Sequence, residues 1–216
     1  MAVKPQEAFN FYSHLAGVVL ALIGMAVLLS VASYSAPALT TALIYGLCVT
    51  FLFAASTLYH AFKQAENEIS FWRKLDHFAI FCMIAGTYTP VCYLYLEGAW
   101  RWSMMGVQWG LVAFGLVLQF TSRRAPRFLQ TLIYIVMGWS AVIPLRQILA
   151  AMTGGQVALL FAGGVAYTLG ALVYAIRKPR FFPGIFGFHE LFHILVLIGG
   201  TLHYAMILTA YLQQAP

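Results

Sequence analysis

Seven long apolar segments occupy most of this 216-residue chain, and they leave little choice of fold. A helix needs about 20 apolar residues to cross the hydrocarbon core of a bilayer. The segments run over residues 14–33, 39–62, 75–96, 100–121, 128–150, 155–176 and 185–211. Only 8% of the residues are charged, whereas a soluble domain carries about 25%. The sequence therefore predicts an all-α polytopic membrane protein, a single domain over 1–216 with seven transmembrane helices.

The connections between these segments are short, so we expect no extramembrane domain. The fifth segment is the least regular, because Pro144 and Arg146 lie near its end. The three cysteines, Cys48, Cys82 and Cys92, fall inside apolar segments. They are expected to be small core residues and neither disulfides nor metal ligands.

The basic residues predict how the chain is oriented in the membrane. Ten of them lie in the N-terminal tail or follow the second, fourth and sixth segments: Lys4, Lys63, Arg73, Lys74, Arg123, Arg124, Arg127, Arg177, Lys178 and Arg180. Only Arg101 and Arg146 fall on the other side. The positive-inside rule then places the N-terminus in the cytoplasm and, after seven crossings, the C-terminus outside. The net charge of +6 is thereby explained by topology, and we expect no nucleic-acid partner.

Five polar residues from three segments fall at a similar depth near the predicted cytoplasmic side. Ser56 and His60 lie four residues apart at the inner end of the second segment. Asp76 lies in the first turn of the third, and His189 and His193 open the seventh. A spacing of four puts two side chains on one face of a helix. Since ionisable residues are costly inside a membrane, this group predicts a functional site.

Three neutral imidazoles with one open position are typical of a catalytic zinc site, in which water takes the fourth place. We therefore predict that His60, His189 and His193 hold a metal. Zn²⁺ is the expected ion, although imidazole also suits copper and iron. Asp76 is either a fourth ligand or the base that accepts a hydrogen bond from the bound water, and Ser56 would add a second hydrogen bond.

Each residue also has an ordinary structural interpretation. His60 alone is equally well explained by a hydrogen bond between helices. Asp76 beside Arg73 could form an interfacial ion pair or act as a first-turn acid favoured by the helix dipole. Ser56 could bond the carbonyl one turn back. All five residues are predicted to lie at a similar depth in the membrane, and this agreement favours a shared functional site over the separate structural explanations.

Other ionisable residues are weaker candidates. His14 is expected at the rim of the site, and His77 points about 100° away from Asp76 on a helix. His203 is expected to be a core histidine, and Glu190 is expected at the membrane interface.

The order of these motifs resembles one known family. Ser56-x-x-x-His60, the aspartate in Lys74-Leu-Asp76-His77, and His189-x-x-x-His193 are similar to the progestin and adipoQ receptor (PAQR) family. The compact loops, the segments Leu58-Tyr59-His60 and Gly86-Thr87-Tyr88-Thr89-Pro90, and the stretch Asn10-Phe-Tyr-Ser13-His14-Leu-Ala-Gly17 resemble its bacterial haemolysin III-like branch. The resemblance covers nearly the whole chain.

This resemblance implies a seven-helix protein of the bacterial inner (plasma) membrane that acts in membrane homeostasis. It implies zinc held by His60, His189 and His193 near the cytoplasmic face, with Asp76 and Ser56 holding the zinc-bound water. The wider superfamily contains alkaline ceramidases, so hydrolysis of a lipid amide or ester is implied, with membrane lipids as substrate or effector. Because the long N-terminal domain of the eukaryotic receptors is lacking, a hormone-receptor function is not expected.

Three functions compete. In an enzyme, zinc would lower the pKa of its water towards about 7 and polarise a lipid carbonyl while Asp76 takes the proton. In a non-catalytic regulator of the membrane state, zinc would instead fix the helices together. A channel or cytolysin is least favoured, because so few intramembrane charges offer little to line an aqueous pore.

Overall fold

The computed structural model describes residues 3–65, 68–121, 127–179, 181–182 and 186–215. Its helices are α1 (Ala8–Val31), α2 (Ala36–Phe62), α3 (Phe71–Tyr95), α4 (Gly98–Thr121), α5 (Arg127–Trp139), α6 (Leu145–Ala151), α7 (Gly154–Ile176) and α8 (Phe188–Gln214). Six helical segments are long and apolar enough to cross a membrane, and α5 with α6 makes a bent seventh. The predicted all-α, multi-pass membrane architecture is therefore confirmed.

The fifth span, predicted as one segment over 128–150, is broken. After α5 the chain makes a 3₁₀ turn over Ser140–Val142, and α6 begins directly after Pro144. The two parts of this span are bent by 59°. Proline has no amide hydrogen and clashes with the preceding turn, so an α-helix does not continue through it without a kink.

Side chains from α3 and α4 bond the backbone at this break. The Tyr88 hydroxyl donates to the Gly138 carbonyl at 2.7 Å and accepts from the Ala141 amide at 2.7 Å. The Gln108 amide donates to the Met137 carbonyl at 3.1 Å. Backbone groups freed within a membrane have no water to bond, so a broken span persists only where neighbouring helices supply partners.

Small residues allow close packing of the helices that carry the polar cluster. A Cβ at Gly46 on α2 would overlap the side chain of Met25 on α1. A Cβ at Gly86 on α3 would come within 2.5 Å of Cβ of Cys48 on α2. In membranes, helix association depends on such close approach because lipid offers no hydrophobic driving force. The three cysteines are free and buried, in agreement with the prediction that they are core residues.

The N-terminal tail, the end of α2 and the start of α3 meet at one end of the bundle. The Lys4 ammonium donates to the Gln64 carbonyl at 2.6 Å. Ser70 caps α3 by accepting from the Arg73 amide, and Arg73 also donates to the Glu68 carbonyl at 2.9 Å. Lys4, Lys63 and Arg73 thus lie at the same end, as the charge pattern predicts. That this end faces the cytoplasm stays a prediction.

Candidate metal centre

Three histidines from two helices converge at this end of the bundle. His60 lies near the end of α2, and His189 and His193 lie in the first two turns of α8. Their ring centroids are 4.9 to 5.2 Å apart, and one ligand nitrogen of each lies within 4.8 Å of the others. The Nε2 atoms of His60 and His189 are 3.4 Å apart. Tetrahedral zinc with bonds of about 2.0–2.1 Å would separate two nitrogens by about 3.3 Å.

The donor chemistry of these rings fits a metal ion. Nδ1 of His60 lies 2.6 Å from a carboxylate oxygen of Glu7. Because an ionised carboxylate only accepts hydrogen bonds, Nδ1 carries the proton and Nε2 keeps its lone pair. His193 is 1% exposed, and its Nδ1 has no hydrogen-bond partner within the part of the chain that the structure describes. The three residues can therefore hold a metal ion.

Asp76 and Ser56 lie beside the histidines but outside the ligand group. The Ser56 hydroxyl interacts with the Asp76 carboxylate across the interface between α2 and α3. Asp76 lines the same cavity as His189 and His193, but it is not among the residues whose ligand atoms lie within 4.8 Å of one another. This placement favours the role of base over that of fourth ligand, and both roles stay predictions.

His14, expected at the rim of the site, packs directly against one of the three candidate ligands. Its ring stacks on the ring of His193, with centroids 3.7 Å apart and planes inclined by 27°. The side chain is 3% exposed, and neither ring nitrogen makes a hydrogen bond among the described residues. The imidazole of His14 therefore forms part of the wall beside the ligand group.

The contributions of Glu7 and Asn10 were not predicted from the sequence, and the expected position of Glu190 at the membrane interface stays a prediction. Glu7 bonds His60, and the Asn10 amide donates to a carboxylate oxygen of Glu190 at 2.9 Å. The other oxygen of Glu190 accepts from the Gly187 amide at 2.8 Å and so caps α8. Glu190 therefore joins α8 to α1. The spacing of Glu7, Asn10 and His14 on one helical face was the available signal.

The remaining histidines take structural positions. The backbone carbonyl of His77 accepts from the Tyr134 hydroxyl at 2.9 Å, and its ring lies 3.5 Å from the Tyr174 hydroxyl. Nε2 of His203 lies 3.2 Å from the carbonyl oxygen of Leu160. Neither ring belongs to the ligand group.

A cavity of about 630 Å³ extends from the histidines into the bundle. Its lining includes Asp76, His189 and His193 together with many apolar side chains, such as Met83 and Val196. Ligand pockets commonly measure about 300–1,000 Å³. The cavity is therefore within the size range of small-molecule binding pockets.

The chain is similar over most of its length to known bacterial proteins. A profile of the family described as haemolysin-III related matches residues 3–204. The chain belongs to the haemolysin III-related family. This haemolysin III-related protein is 31% identical to Hemolysin-3 of Bacillus cereus, over 97% of its own length and 94% of that protein. It is 29% identical to the Hemolysin-3 homolog of Bacillus subtilis (strain 168), over 94% and 93% of the two chains.

The haemolysin III-related chain also matches a eukaryotic receptor. It is 30% identical to the adiponectin receptor protein of Drosophila melanogaster over 73% of this chain and 38% of the receptor. The predicted membership of the haemolysin III branch and the predicted likeness to the adiponectin-receptor proteins are both confirmed.

Proposed function

We propose that this haemolysin III-related protein is a zinc-dependent hydrolase of a lipid amide or ester, in the bacterial inner membrane with its metal centre on the cytoplasmic side. The observation that supports this proposal is the position of the three histidines. Their ligand nitrogens lie within 4.8 Å of one another, beside a cavity whose lining is mostly apolar. Such a cavity admits a lipid with its carbonyl at the histidines and its chain beyond.

His60, His189 and His193 would hold the zinc. When bound, zinc lowers the pKa of a coordinated water to about 7 and polarises a carbonyl oxygen. The histidines themselves supply three neutral nitrogens, so they leave the ion its full positive charge. Their positions on α2 and α8 are fixed by helix packing, since His60 and His193 are each 1% exposed.

Asp76 would act as the general base. Its carboxylate takes a proton from the attacking water as the water oxygen bonds to the carbonyl carbon. The same proton then passes to the leaving amine or alcohol as the C–N or C–O bond breaks, which gives a fatty acid and leaves Asp76 ionised. Ser56 would help to orient the carboxylate through its hydroxyl.

The test is fatty-acid release by the purified protein in detergent or lipid nanodiscs. With zinc, it should hydrolyse a long-chain ceramide-type amide or a lipid ester. His193→Ala and removal of the metal should each abolish release, whereas Glu68→Gln, a carboxylate change outside the cavity lining, should not. Hydrolysis that survives both His193→Ala and metal removal would rule out this function.

A second candidate is a regulator of the membrane state with structural zinc. This candidate is favoured by the position of the histidines. His60 on α2 and His189 on α8 lie 129 residues apart in the chain, yet their rings meet at one point. In that case Asp76→Asn would leave the cellular function intact, while His60→Ala would abolish folding. The enzyme proposal requires the opposite result for Asp76→Asn.

A further inference from the structure

A polar stripe on the first helical turns of the chain contacts the metal centre at three points. Glu7, Asn10 and His14 are spaced three and four residues apart, which places them on one helical face. Glu7 bonds His60 on α2, Asn10 bonds Glu190 on α8, and His14 stacks on His193. This N-terminal stripe, defined by those three residues, supplies none of the three ligands yet reaches both helices that do.

Glu7 makes the most specific of these contacts. One carboxylate oxygen lies 2.6 Å from Nδ1 of His60, and the other accepts from the Lys63 ammonium at 2.6 Å. His60 is 1% exposed and the Glu7 side chain is 12% exposed. Lys63 therefore holds one carboxylate oxygen of Glu7, and the other oxygen stays directed at the His60 imidazole. Both side chains are mostly buried, so little water reaches this contact.

This contact decides which nitrogen of His60 can bind a metal. A neutral imidazole has one N–H donor and one lone pair, and the hydrogen bond made by one nitrogen sets the role of the other. With Nδ1–H donated to Glu7, the lone pair is on Nε2, the atom that faces His189 at 3.4 Å. A carboxylate on the far nitrogen also makes the ligand nitrogen more basic.

We propose that Glu7 is a positioning residue of the metal centre, which holds His60 in the Nδ1-protonated form with Nε2 directed at the metal. This inference rests on the proposed metal site. Asn10 has a parallel role on the other helix. It bonds Glu190, whose second oxygen caps the first turn of α8, and so it orients the turn that carries His189.

The experiment measures zinc affinity by chelator competition for the wild-type protein, Glu7→Gln, Glu7→Ala and the control Glu68→Gln. Glu68 is a suitable control because it is a carboxylate at the same end of the bundle whose partners among the described residues lie in its own loop: the Gln64 and Ala65 amides and the Ser70 hydroxyl. Loss of a carboxylate behind a metal-bound histidine typically weakens metal binding by about 10–100-fold. We expect that loss for Glu7→Ala, a smaller loss for Glu7→Gln, and no change for Glu68→Gln.

A second readout separates positioning from folding. In protein labelled with ¹⁵N-histidine, the His60 signal should show a protonated Nδ1 in the wild type and a mixture of tautomers in metal-free Glu7→Ala. Glu7→Gln is isosteric and its amide oxygen still accepts a hydrogen bond, so it should fold normally and keep the tautomer while binding zinc less tightly. If Glu7→Ala does not fold, zinc affinity and the His60 tautomer are measured in Glu7→Gln and Glu7→Asp instead.

The two proposals fail in different ways. If the folded wild-type protein binds no zinc, the metal site itself is wrong. If the wild type binds zinc and folded Glu7→Ala binds it with unchanged affinity, only the role of Glu7 is overturned. An unchanged His60 tautomer in folded Glu7→Ala would overturn that role as well.

Discussion

The Nε2 atoms of His60 and His189 lie 3.4 Å apart although 129 residues separate the two histidines. Two imidazole lone pairs at this distance repel each other unless a proton or a cation lies between them. If both rings were protonated, their charges would also repel. A metal ion between the two nitrogens removes either penalty, so the approach of His60 on α2 to the first turns of α8 and the binding of a metal should be energetically coupled.

The purified protein should contain one zinc per chain. His60→Ala, His189→Ala and His193→Ala should each reduce the metal content to below about one tenth of the wild-type value, because two imidazoles hold zinc far less tightly than three. Elemental analysis after dialysis measures this. His203→Gln is the matched control, since its ring lies against the Leu160 carbonyl and outside the ligand group; equal loss in that variant would contradict the assignment.

Zinc binding should weaken as the medium is acidified. Protons compete with the metal for the imidazole lone pairs, so binding releases protons and the metal affinity falls as pH falls. Because three histidines contribute, the apparent affinity should drop by more than about tenfold per pH unit once the rings begin to protonate. Competition titrations at several pH values between about 8 and 5 measure the slope. An affinity that does not change over this range would contradict competition between protons and the metal at these imidazoles.

Asp76→Asn should separate metal binding from chemistry. The carboxamide cannot accept the proton from water, so lipid hydrolysis should fall by about 10²–10⁴-fold, the usual contribution of a general base. Zinc affinity should change much less, because Asp76 lies outside the group of ligand atoms. Parallel measurements of fatty-acid release and zinc content test this. Loss of the zinc itself would instead make Asp76 a ligand.

Zinc should raise the thermal stability of the folded protein. A ligand that binds only the native state stabilises it by about 4 kcal/mol when its concentration is 1,000 times Kd. The unfolding temperature in detergent should therefore rise when zinc is added to the metal-free protein. The same addition to His193→Ala should have little effect, and a similar rise in that variant would point to zinc binding elsewhere.

Filling the apolar part of the cavity should shorten the preferred acyl chain. Leu160 on α7 lines the cavity away from the ligand group. Leu160→Trp should reduce hydrolysis of long-chain lipids by about tenfold or more and leave short-chain esters and zinc content nearly unchanged. Leu160→Met, which keeps the volume, is the matched control. Equal loss for short and long chains would contradict binding of the chain in this cavity.

Much of the architecture follows from local sequence, because a bilayer leaves few alternatives. Backbone groups in lipid must bond within their own segment, so each apolar stretch of about 20 residues becomes a helix. Six of the seven predicted spans are such helices, and the family was recognisable from the ordered motifs around His60, Asp76 and His189. Pro144 marked the fifth span as the least regular, but neither its break nor its 59° bend was predicted.

The pairing of helices was not contained in this local information. Periodicity tells which side chains share a face, as for His189 and His193, but not which helix packs opposite that face. The sequence thus determined the spans, the histidine spacing and the concentration of positive charge at one end. Only the tertiary structure decided that Glu7 reaches His60 across 53 residues and that Asn10 reaches Glu190 across 180. Such contacts depend on the packing of distant helices, and no segment specifies that packing alone.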